Sequence, residues 1–356
     1  MKIKQPTLLV DVEKVRQNIR KMKQKADISG VVFRPHFKTH QSKRVGELFR
    51  EAGVDKITVS SVSMAMEFAG NGWNDITIAF PLNWREWEEI NDLAKRVKLN
   101  VLVESAFVAE ILARKATAPL GVFIKIDTGY HRTGILPDHY LEIESVFSVL
   151  ETSSLLSFKG FLTHAGHTYH ARSQDEIMEI KEQAAGSLQK LKARYEARFP
   201  DLILSYGDTP SCSIADDCSA FDEIRPGNFV YYDVMQYHLG ACRLDEVAVA
   251  AACPVVALHP DRSEMVIYGG AVHLSKEFIA ADKGFRLYGY VAKPDEHFRW
   301  QKPIAGAYVS DLSQEHGIIR LPEKSLKSFR PGDWVAIFPV HSCLTANLLK
   351  NNTVFV

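Results

Sequence analysis

The feature that most constrains the fold of this chain is a regular alternation of two kinds of segment between residue 31 and about residue 233. Short runs of β-branched residues, typical of buried strands, are followed by longer segments in which charged and apolar residues separate at the three-to-four spacing of amphipathic helices. Such an alternation predicts β/α units that build a parallel sheet. The candidate strands are residues 31–35, 57–61, 76–80, 101–104, 121–127, 158–164, 202–207 and 223–232, and the helical candidates include residues 41–52, 62–70, 84–96 and 173–198.

With eight β/α units, closure into a (β/α)8 barrel is more natural than an open sheet, although residues 208–222 look irregular. After about residue 240 the chain changes to short apolar runs punctuated by Gly, Pro and Asp, which indicates an all-β domain. We therefore predict an α/β protein in which residues 12–237 form the barrel and residues 238–356 form a C-terminal all-β domain. Residues 1–11 are predicted to join the β domain, because a barrel filled by eight later strands has no place for their strand-like run TLLVD.

The composition indicates a small-molecule partner. Among 356 residues, Lys and Arg together number 43, as do Asp and Glu, so no basic excess indicates nucleic acid or an anionic membrane. The N-terminal apolar run is short and meets Asp11 at once, so we expect neither a signal peptide nor a membrane span. Five cysteines at irregular spacing, without an export signal, favour a reduced cytoplasmic protein.

The segment RPHFKTH (34–40) follows the first predicted strand and places Lys38 at the mouth of the barrel. Positive charge from His36 and His40, with partial burial, could lower the pKa of this lysine and allow it to form a Schiff base. An isolated loop lysine is more often simply solvated. The position after a core strand, beside Pro35 and two histidines, favours the chemical interpretation here.

Two further loops follow the fifth and sixth predicted strands. KIDTGYHRTG (125–134) combines turn residues with Arg132, whose forked donors suit an oxygen anion, although a structural turn would look the same. THAGHTYH (163–170) holds three histidines and a tyrosine, so a ring could stack on an aromatic cofactor and Tyr169 could donate to an oxygen. A metal site built from these histidines is the weaker alternative.

The loops after the seventh and eighth strands contain SYGDTPS (205–211) and RPGNFVYYD (225–233), where Gly and hydroxyl residues could cradle a phosphate. Two ordinary turns are the alternative, and the lack of a GxGxxG or P-loop pattern argues against a nucleotide.

In the β domain, FPVHSCLTANL (338–348) contains His341 and Cys343, which would project to one face if the segment is extended. Imidazole and thiolate together favour zinc, with water and substrate completing the coordination, although a chance His beside a buried Cys is common. Glu315 and His316 of SQEHG (313–317) could act as an acid/base pair or support other ligands, or could form a solvated turn.

Taken together and in order over residues 6–348, these motifs resemble the fold type III pyridoxal 5'-phosphate (PLP) enzymes, namely the D-threonine aldolases and metal-dependent D-serine dehydratases, relatives of alanine racemase. The resemblance implies an alanine racemase-type TIM barrel with a β domain, and PLP held on Lys38, which also acts as the catalytic base. It implies Arg132 near the phenolic oxygen of PLP and His164 packed on the ring. It further implies cofactor-binding positions at Tyr169, Thr209, Gly227 and Asn228, the last three near the phosphate.

The resemblance also matches His341 and Cys343 to the metal pair of the family, for zinc (Zn2+) or manganese (Mn2+), and implies a homodimer acting on a small D-amino acid. The H-x-C pair resembles the dehydratases, which convert D-serine to a 2-oxo acid and ammonia, whereas familiar aldolases carry H-x-D. Retro-aldol cleavage to glycine and an aldehyde remains the alternative. An amino-acid racemase is favoured less because of the metal pair, and a non-enzymatic PLP-binding protein is disfavoured by the second domain.

Overall fold

The computed structural model describes residues 3–281 and 285–356. The chain divides into two compact units. The barrel unit consists of Arg20–Lys38 and Lys43–Gly227. The β unit consists of the described residues up to Ile19, the short segment Thr39–Ser42 and the described part of Asn228–Val356.

Strands and helices alternate in the first part of the chain, and strands predominate in the second part. The described strands are Thr7–Val10 (β1), Val32–Phe33 (β2), Ile57–Val59 (β3), Asp75–Pro81 (β4), Lys98–Val103 (β5), Leu120–Lys125 (β6), Leu156–Leu162 (β7), Ile203–Tyr206 (β8), Glu223–Ile224 (β9), Val249–His259 (β10), Glu264–Tyr268 (β11), Ile279–Ala281 (β12), Phe285–Leu287 (β13), Gly289–Pro294 (β14), Trp300–Leu312 (β15), His316–Arg320 (β16), Trp334–Pro339 (β17) and Thr353–Phe355 (β18).

The helices carry most of their apolar residues on one face, as the sequence predicts. The described α-helices are Val12–Ile28 (α1), Lys43–Glu51 (α2), Val62–Gly70 (α3), Trp87–Ala94 (α4), Ala106–Lys115 (α5), Tyr140–Leu150 (α6), Gln174–Tyr195 (α7), Thr209–Ile214 (α8), Val234–His238 (α9), Ala271–Leu274 (α10), Glu323–Leu326 (α11) and Ser342–Leu349 (α12). Short 3-10 turns are Trp84–Glu86, Gly166–His170, Asn228–Val230, Leu244–Glu246 and Pro260–Arg262.

The barrel unit contains the predicted sheet of eight parallel strands, in the order β2-β9-β8-β7-β6-β5-β4-β3. Backbone hydrogen bonds join its two ends, because the Phe37 amide donates to the Thr58 carbonyl (2.8 Å) and the Thr58 amide donates to the Pro35 carbonyl (2.9 Å). The barrel prediction is therefore confirmed. Loops that follow the strands lie together at the carboxyl end of such a barrel, where active sites are found.

Three local predictions need correction. The strand predicted at 223–232 is wrong beyond residue 224, because Pro226 has no amide to donate and the chain turns into a 3-10 turn at Asn228. Residues 208–222 are not wholly irregular, since Asp208 accepts a hydrogen bond from the Ser211 amide and begins α8. The helix predicted at 84–96 begins as a 3-10 turn, and its α-helical part is Trp87–Ala94.

The β unit is built on an antiparallel sheet, in the order β11-β16-β15-β14-β17-β10-β1-β18, and β10 also pairs with β11. This confirms the predicted all-β C-terminal part. The N-terminal strand β1 lies in this sheet, antiparallel to β10 and parallel to β18. Its residues are fully or almost fully buried, which explains why a strand so far away in sequence belongs here.

A buried ion-pair network fixes the first strand of the barrel. Arg34, next to β2, is 4% exposed and donates to Glu223 on β9 (2.6 Å) and to Asp75 on β4 (2.6 Å). Burial alone would lower the pKa of Arg34, but the two carboxylates raise it above its usual value. Removing one partner of such a network leaves a buried charge uncompensated.

We expect Arg34→Ala to lower the free energy of unfolding by roughly 3–5 kcal/mol, because Glu223 would stay buried without its cation. Chemical denaturation followed by circular dichroism measures this change. Arg198→Ala, which removes surface pairs with Glu144 and Glu151, is the matched control and should cost less than about 1 kcal/mol. Equal losses for the two variants would contradict this account of the network.

Candidate active site

Lys38 lies in a loop that its neighbour anchors to the barrel. The Phe37 ring is fully buried and its centroid lies about 5 Å from the rings of Phe49, Phe68 and Trp73. The Lys38 side chain is exposed, and its backbone amide donates to the Nδ1 atom of His36 (3.3 Å). The lysine predicted to carry a cofactor therefore projects from a rigid base at the carboxyl end of β2.

His40 does not supply the positive charge that the sequence suggested. Its ring is 4% exposed, and burial lowers its pKa to about 3. Nδ1 accepts a hydrogen bond from the Ser42 amide (3.1 Å), as a neutral imidazole can. The expectation of two cationic histidines around Lys38 is therefore wrong for His40.

His164 follows β7 and is also neutral. Its Nδ1 atom donates to the Gly207 carbonyl (2.5 Å), so the other ring nitrogen, Nε2, carries no proton. The pKa of His164 is lowered well below its usual value, first by burial and then by the positive charges of Lys38, Arg132 and Lys125. Three basic side chains thus influence one ring, and their positive charge favours an anionic ligand.

The loop after β6 is organised by Asp127. Its carboxylate accepts hydrogen bonds from the amides of Gly129 and His131, both at 3.0 Å, and these bonds outweigh the effect of burial and lower the pKa of Asp127. Gly134 has φ +114°, and a Cβ there would lie 2.7 Å from the Asp127 amide nitrogen. The loop presents Arg132, whose side chain is exposed and whose guanidinium lies 4.9 Å from the centre of the Tyr130 ring.

Lys125, on β6, was not among the predicted site residues. It is 6% exposed, and burial, helped by the charges of Arg225 and Arg132, lowers its pKa to about 7. Its Nζ atom donates to the Ile126 carbonyl (3.0 Å). A lysine within a strand of otherwise buried residues is a signal that sequence reasoning could have used.

Three predicted cofactor-binding residues of the barrel unit contact each other. The Thr209 amide donates to the Tyr169 hydroxyl and the Gly227 amide donates to the Thr209 hydroxyl, each at 3.3 Å. Both bonds are near the upper limit for a hydrogen bond, so a phosphate oxygen could replace either acceptor with a stronger, charge-assisted one. This geometry fits an anionic cofactor group.

A buried aspartate that the predictions missed supports this cluster. Asp208 is 2% exposed and accepts hydrogen bonds from the Ser211 amide (2.7 Å), the Ser211 hydroxyl (2.7 Å) and the Thr168 hydroxyl (3.1 Å). It therefore joins the loop after β7 to the loop after β8. The D-x-x-S spacing at 208–211 is a helix-start signal that was open to sequence reasoning.

The predicted metal pair lies in the β unit, in a geometry that the sequence did not predict. The segment is not extended throughout, because α12 begins at Ser342 and places Cys343 in its first turn. His341 directly precedes this helix, two residues before Cys343, and its Nδ1 atom lies 2.5 Å from a Glu277 oxygen. Burial lowers the pKa of His341, but Cys343 and Glu277 outweigh that effect and raise it to about 11.

The side chains of Thr39 and Asn228 lie close to the Cys343 sulfur. The Thr39 hydroxyl lies 3.2 Å from the Cys343 sulfur, and Thr39 directly follows Lys38 in the sequence. In the parts of the chain that the structure describes, no group of three or more His, Cys, Asp or Glu side chains is arranged to hold a metal ion. Glu277, which no motif indicated, fixes the ring orientation of His341.

The remaining predicted residues are placed as follows. Asn228 belongs to the β unit with His341 and Cys343, whereas Lys38, Arg132, His164, Tyr169, Thr209 and Gly227 belong to the barrel unit. Glu315 faces His273 at 3.8 Å, and His316 is an exposed residue at the start of β16.

Comparison with known families agrees with this architecture. A sequence model described as the alanine racemase N-terminal domain matches residues 10–234, which is more than half of the chain. The chain belongs to this family. A second model, described as a putative serine dehydratase domain, matches residues 248–355. Fold type III PLP enzymes are thus its relatives, as the motifs predicted.

Members of the family with similar sequences carry lyase names. The chain is 28% identical over 350 residues to D-threo-3-hydroxyaspartate dehydratase from Delftia sp. (strain HT23), covering 96% of this chain and 91% of that protein. It is also 28% identical over 378 residues to D-serine dehydratase from Dictyostelium discoideum, covering 97% and 92%. The solved structure of the Delftia dehydratase has a TM-score of 0.88 at 26% identity, over 96% of this chain and 92% of that one.

Alanine racemase from Clostridium difficile has a TM-score of 0.70 at 14% identity, over 99% of this chain and 95% of that one, which shows the shared fold. A cysteine-to-alanine mutant of the Delftia dehydratase is known in a metal-free form. Among the described residues of the chain itself, no helix is both long enough and apolar enough to cross a bilayer.

We expect His164 to remain neutral between pH 5 and 8, because a lowered pKa means that the ring takes up a proton only in more acidic solution than a free imidazole does. Long-range nitrogen–proton NMR spectra of the cofactor-free protein would show one ring with an unchanged neutral pattern across this range. His164→Gln identifies the signal by removing it. A ring that titrates near pH 6.5 and disappears in this variant would disprove the expectation.

Proposed function

We propose that this protein is a PLP- and metal-dependent lyase of D-3-hydroxy amino acids that acts as a dehydratase. Its products are a 2-oxo acid and ammonia, so D-serine would give pyruvate. The observation that carries the proposal is the placement of His341 and Cys343 at the start of α12, with Nδ1 of His341 engaged by Glu277, in a chain that also presents Lys38 after a barrel strand. The names of the Delftia and Dictyostelium relatives support the same class of substrate.

The barrel unit has the properties that PLP requires. Lys38 offers an exposed amine, Lys38, Arg132 and Lys125 supply positive charge around His164, and the amides of Thr209 and Gly227 are available to a phosphate. When bound on Lys38, PLP supplies a conjugated electron sink that stabilises negative charge at the substrate Cα. The neutral His164 ring can pack on an aromatic group without adding a buried charge.

Lys38 has two tasks in this mechanism. Its amine would hold the cofactor, and it would take the proton from the substrate Cα as general base. The rigid anchoring of Phe37 keeps this amine at the barrel end for both tasks. Arg132 would hold an oxygen anion of the cofactor, Tyr169 would contact the cofactor, and Thr209 and Gly227 would lie near its phosphate. Asn228, in the β unit, remains a position near the phosphate by the family resemblance alone.

The donor set of the β unit fits a zinc-type ion. Glu277 engages Nδ1 of His341, which leaves Nε2 as the ring nitrogen that would bind a metal, and imidazole with thiolate suits zinc. A metal there would supply Lewis-acid activation of the substrate β-hydroxyl as a leaving group. Two protein ligands leave room for water and substrate, as a catalytic site requires. Manganese is the alternative ion.

A second candidate function is retro-aldol cleavage to glycine and an aldehyde. A relative named 3-hydroxy-D-aspartate aldolase, from Paracoccus denitrificans (strain Pd 1222), is 26% identical over 244 residues, 65% of this chain and 61% of that protein. Both reactions use the same residues and differ in which bond to Cα breaks. We place the dehydratase first because the metal pair has a cysteine at position 343. A cytoplasmic homodimer remains a prediction from the family resemblance.

A product assay separates the reactions. The reconstituted enzyme is incubated with D-serine and with D-threonine, and keto acid, ammonia, glycine, aldehyde and racemised amino acid are measured. We expect keto acid and ammonia, and we expect EDTA and Cys343→Ala each to lower turnover by at least about tenfold while the cofactor colour remains. Cys242→Ala is the matched control and should leave turnover unchanged. Racemised amino acid as the sole product would exclude the lyase.

Lys38→Ala tests the cofactor site directly. We expect this variant to lose both the visible absorbance of the reconstituted protein and its activity, because no other amine would hold the cofactor covalently. Borohydride treatment followed by peptide mass spectrometry should find the adduct on Lys38 in the natural protein. Lys43→Ala, which changes an exposed lysine at the start of α2, should keep both properties. A coloured, active Lys38→Ala protein would refute the assignment.

A further inference from the structure

A buried carboxylate in the β unit contacts two separate functional segments. Asp233 is 1% exposed and caps α9 by accepting a hydrogen bond from the Gln236 amide on its Oδ1 atom (2.9 Å). Its Oδ2 atom accepts from the Asn228 side-chain amide (2.6 Å), the Ser342 backbone amide (2.9 Å) and the Ser342 hydroxyl (3.1 Å). One oxygen atom therefore gathers three donors from two distant parts of the sequence.

Both parts belong to predicted binding segments. Asn228 ends the R-P-G-N turn, and Ser342 is the residue between His341 and Cys343. The Asn228 side-chain amide also lies 3.5 Å from the Cys343 sulfur. The side chains of Asn228 and Ser342 are at most 4% exposed, so water does not compete for these bonds.

The backbone bond to Ser342 is the decisive one. His341 has an extended backbone conformation and α12 begins at Ser342, so the direction in which His341 and Cys343 project depends on the conformation at this residue. A hydrogen bond on the Ser342 amide holds that conformation from outside the helix. Groups that orient metal ligands in this indirect way usually change metal affinity by about 10- to 100-fold when they are removed.

We propose that Asp233 is a positioning residue that sets the geometry of the His341–Cys343 pair through Ser342 and locks the Asn228 side chain beside it. The proposal rests on the proposed function, because it assumes that the pair holds a metal. The hydrogen bonds of the Asp233 carboxylate run to Gln236, Asn228 and Ser342, so it acts on the pair through the residues beside it. The Oδ1 atom of Asn228 is buried and has no hydrogen-bond partner among the described residues, so this amide is held by its nitrogen alone.

Asp233→Asn separates the two tasks of the carboxylate. The new side chain keeps an oxygen for the Gln236 amide, so the cap of α9 can persist, but an NH2 group replaces Oδ2 and faces three donors. We expect the dissociation constant for zinc, measured on the PLP-loaded protein by competition with a chromogenic chelator, to rise about 10- to 100-fold. The spectrum of the cobalt-substituted variant should also lose the thiolate-to-metal band of the natural protein, which a general loss of stability would not cause.

Two further variants keep the test decisive. Ser342→Ala removes one of the three donors without adding one, and we expect it to weaken zinc binding by a smaller factor in the same direction, even where Asp233→Asn does not fold. Ser105→Ala removes the cap of α5 in the barrel unit and is the matched control, with unchanged zinc affinity.

The outcomes distinguish this inference from the function it rests on. Absence of zinc binding by the natural protein would overturn the metal part of the proposed function and this inference with it. Normal zinc binding that stays unchanged in Asp233→Asn and Ser342→Ala would overturn only the role of Asp233. Weaker binding in both variants, with an unchanged Ser105→Ala control, supports the positioning role.

Discussion

The location of Lys38 depends on how the first strand of the barrel is held between its neighbours. Arg34 binds carboxylates from β9 and β4, and the backbone of Pro35 and Phe37 pairs with Thr58 on β3. These contacts close the sheet at the strand that carries the lysine. An exposed amine on a flexible loop would have no fixed position for chemistry. The loop of Lys38, by contrast, begins where β2 ends, and hydrogen bonds join this strand and the residues after it to β9 and β3.

Electrostatics then divide the barrel end into charged and neutral groups. Lys38, Arg132 and Lys125 act on His164, and burial and these charges keep the ring neutral. The positive charge at this end of the barrel favours an anionic ligand, and the neutral ring can lie against an aromatic one. Asp127 and Asp208 are engaged by backbone amides and hydroxyls, so they shape the loops without placing a free negative charge among the cations.

The sequence predicted the features that follow from local pattern. Alternating strands and helices predicted the barrel, which the structure confirms, and their positions after barrel strands made Lys38, Arg132 and His164 candidate site residues. It could not reveal Glu277, because its contact with His341 joins residues 64 positions apart and no motif surrounds it. The first-turn position of Cys343 was also missed, since a strand that changes into a helix within two residues has no clear hydrophobic period. The positive charge predicted for His40 was wrong because burial, which the sequence does not show, keeps its ring neutral.

The division of the chain into two units limits how its parts can be exchanged with those of a relative. The β unit is assembled from three stretches of sequence, of which Thr39–Ser42 is only four residues long and starts directly after Lys38. A chimaera that exchanges the C-terminal part at a single junction would therefore pair a new cysteine at position 343 with the old threonine at position 39. Each unit of this enzyme is compact, but a single crossover in the sequence cannot exchange a whole unit.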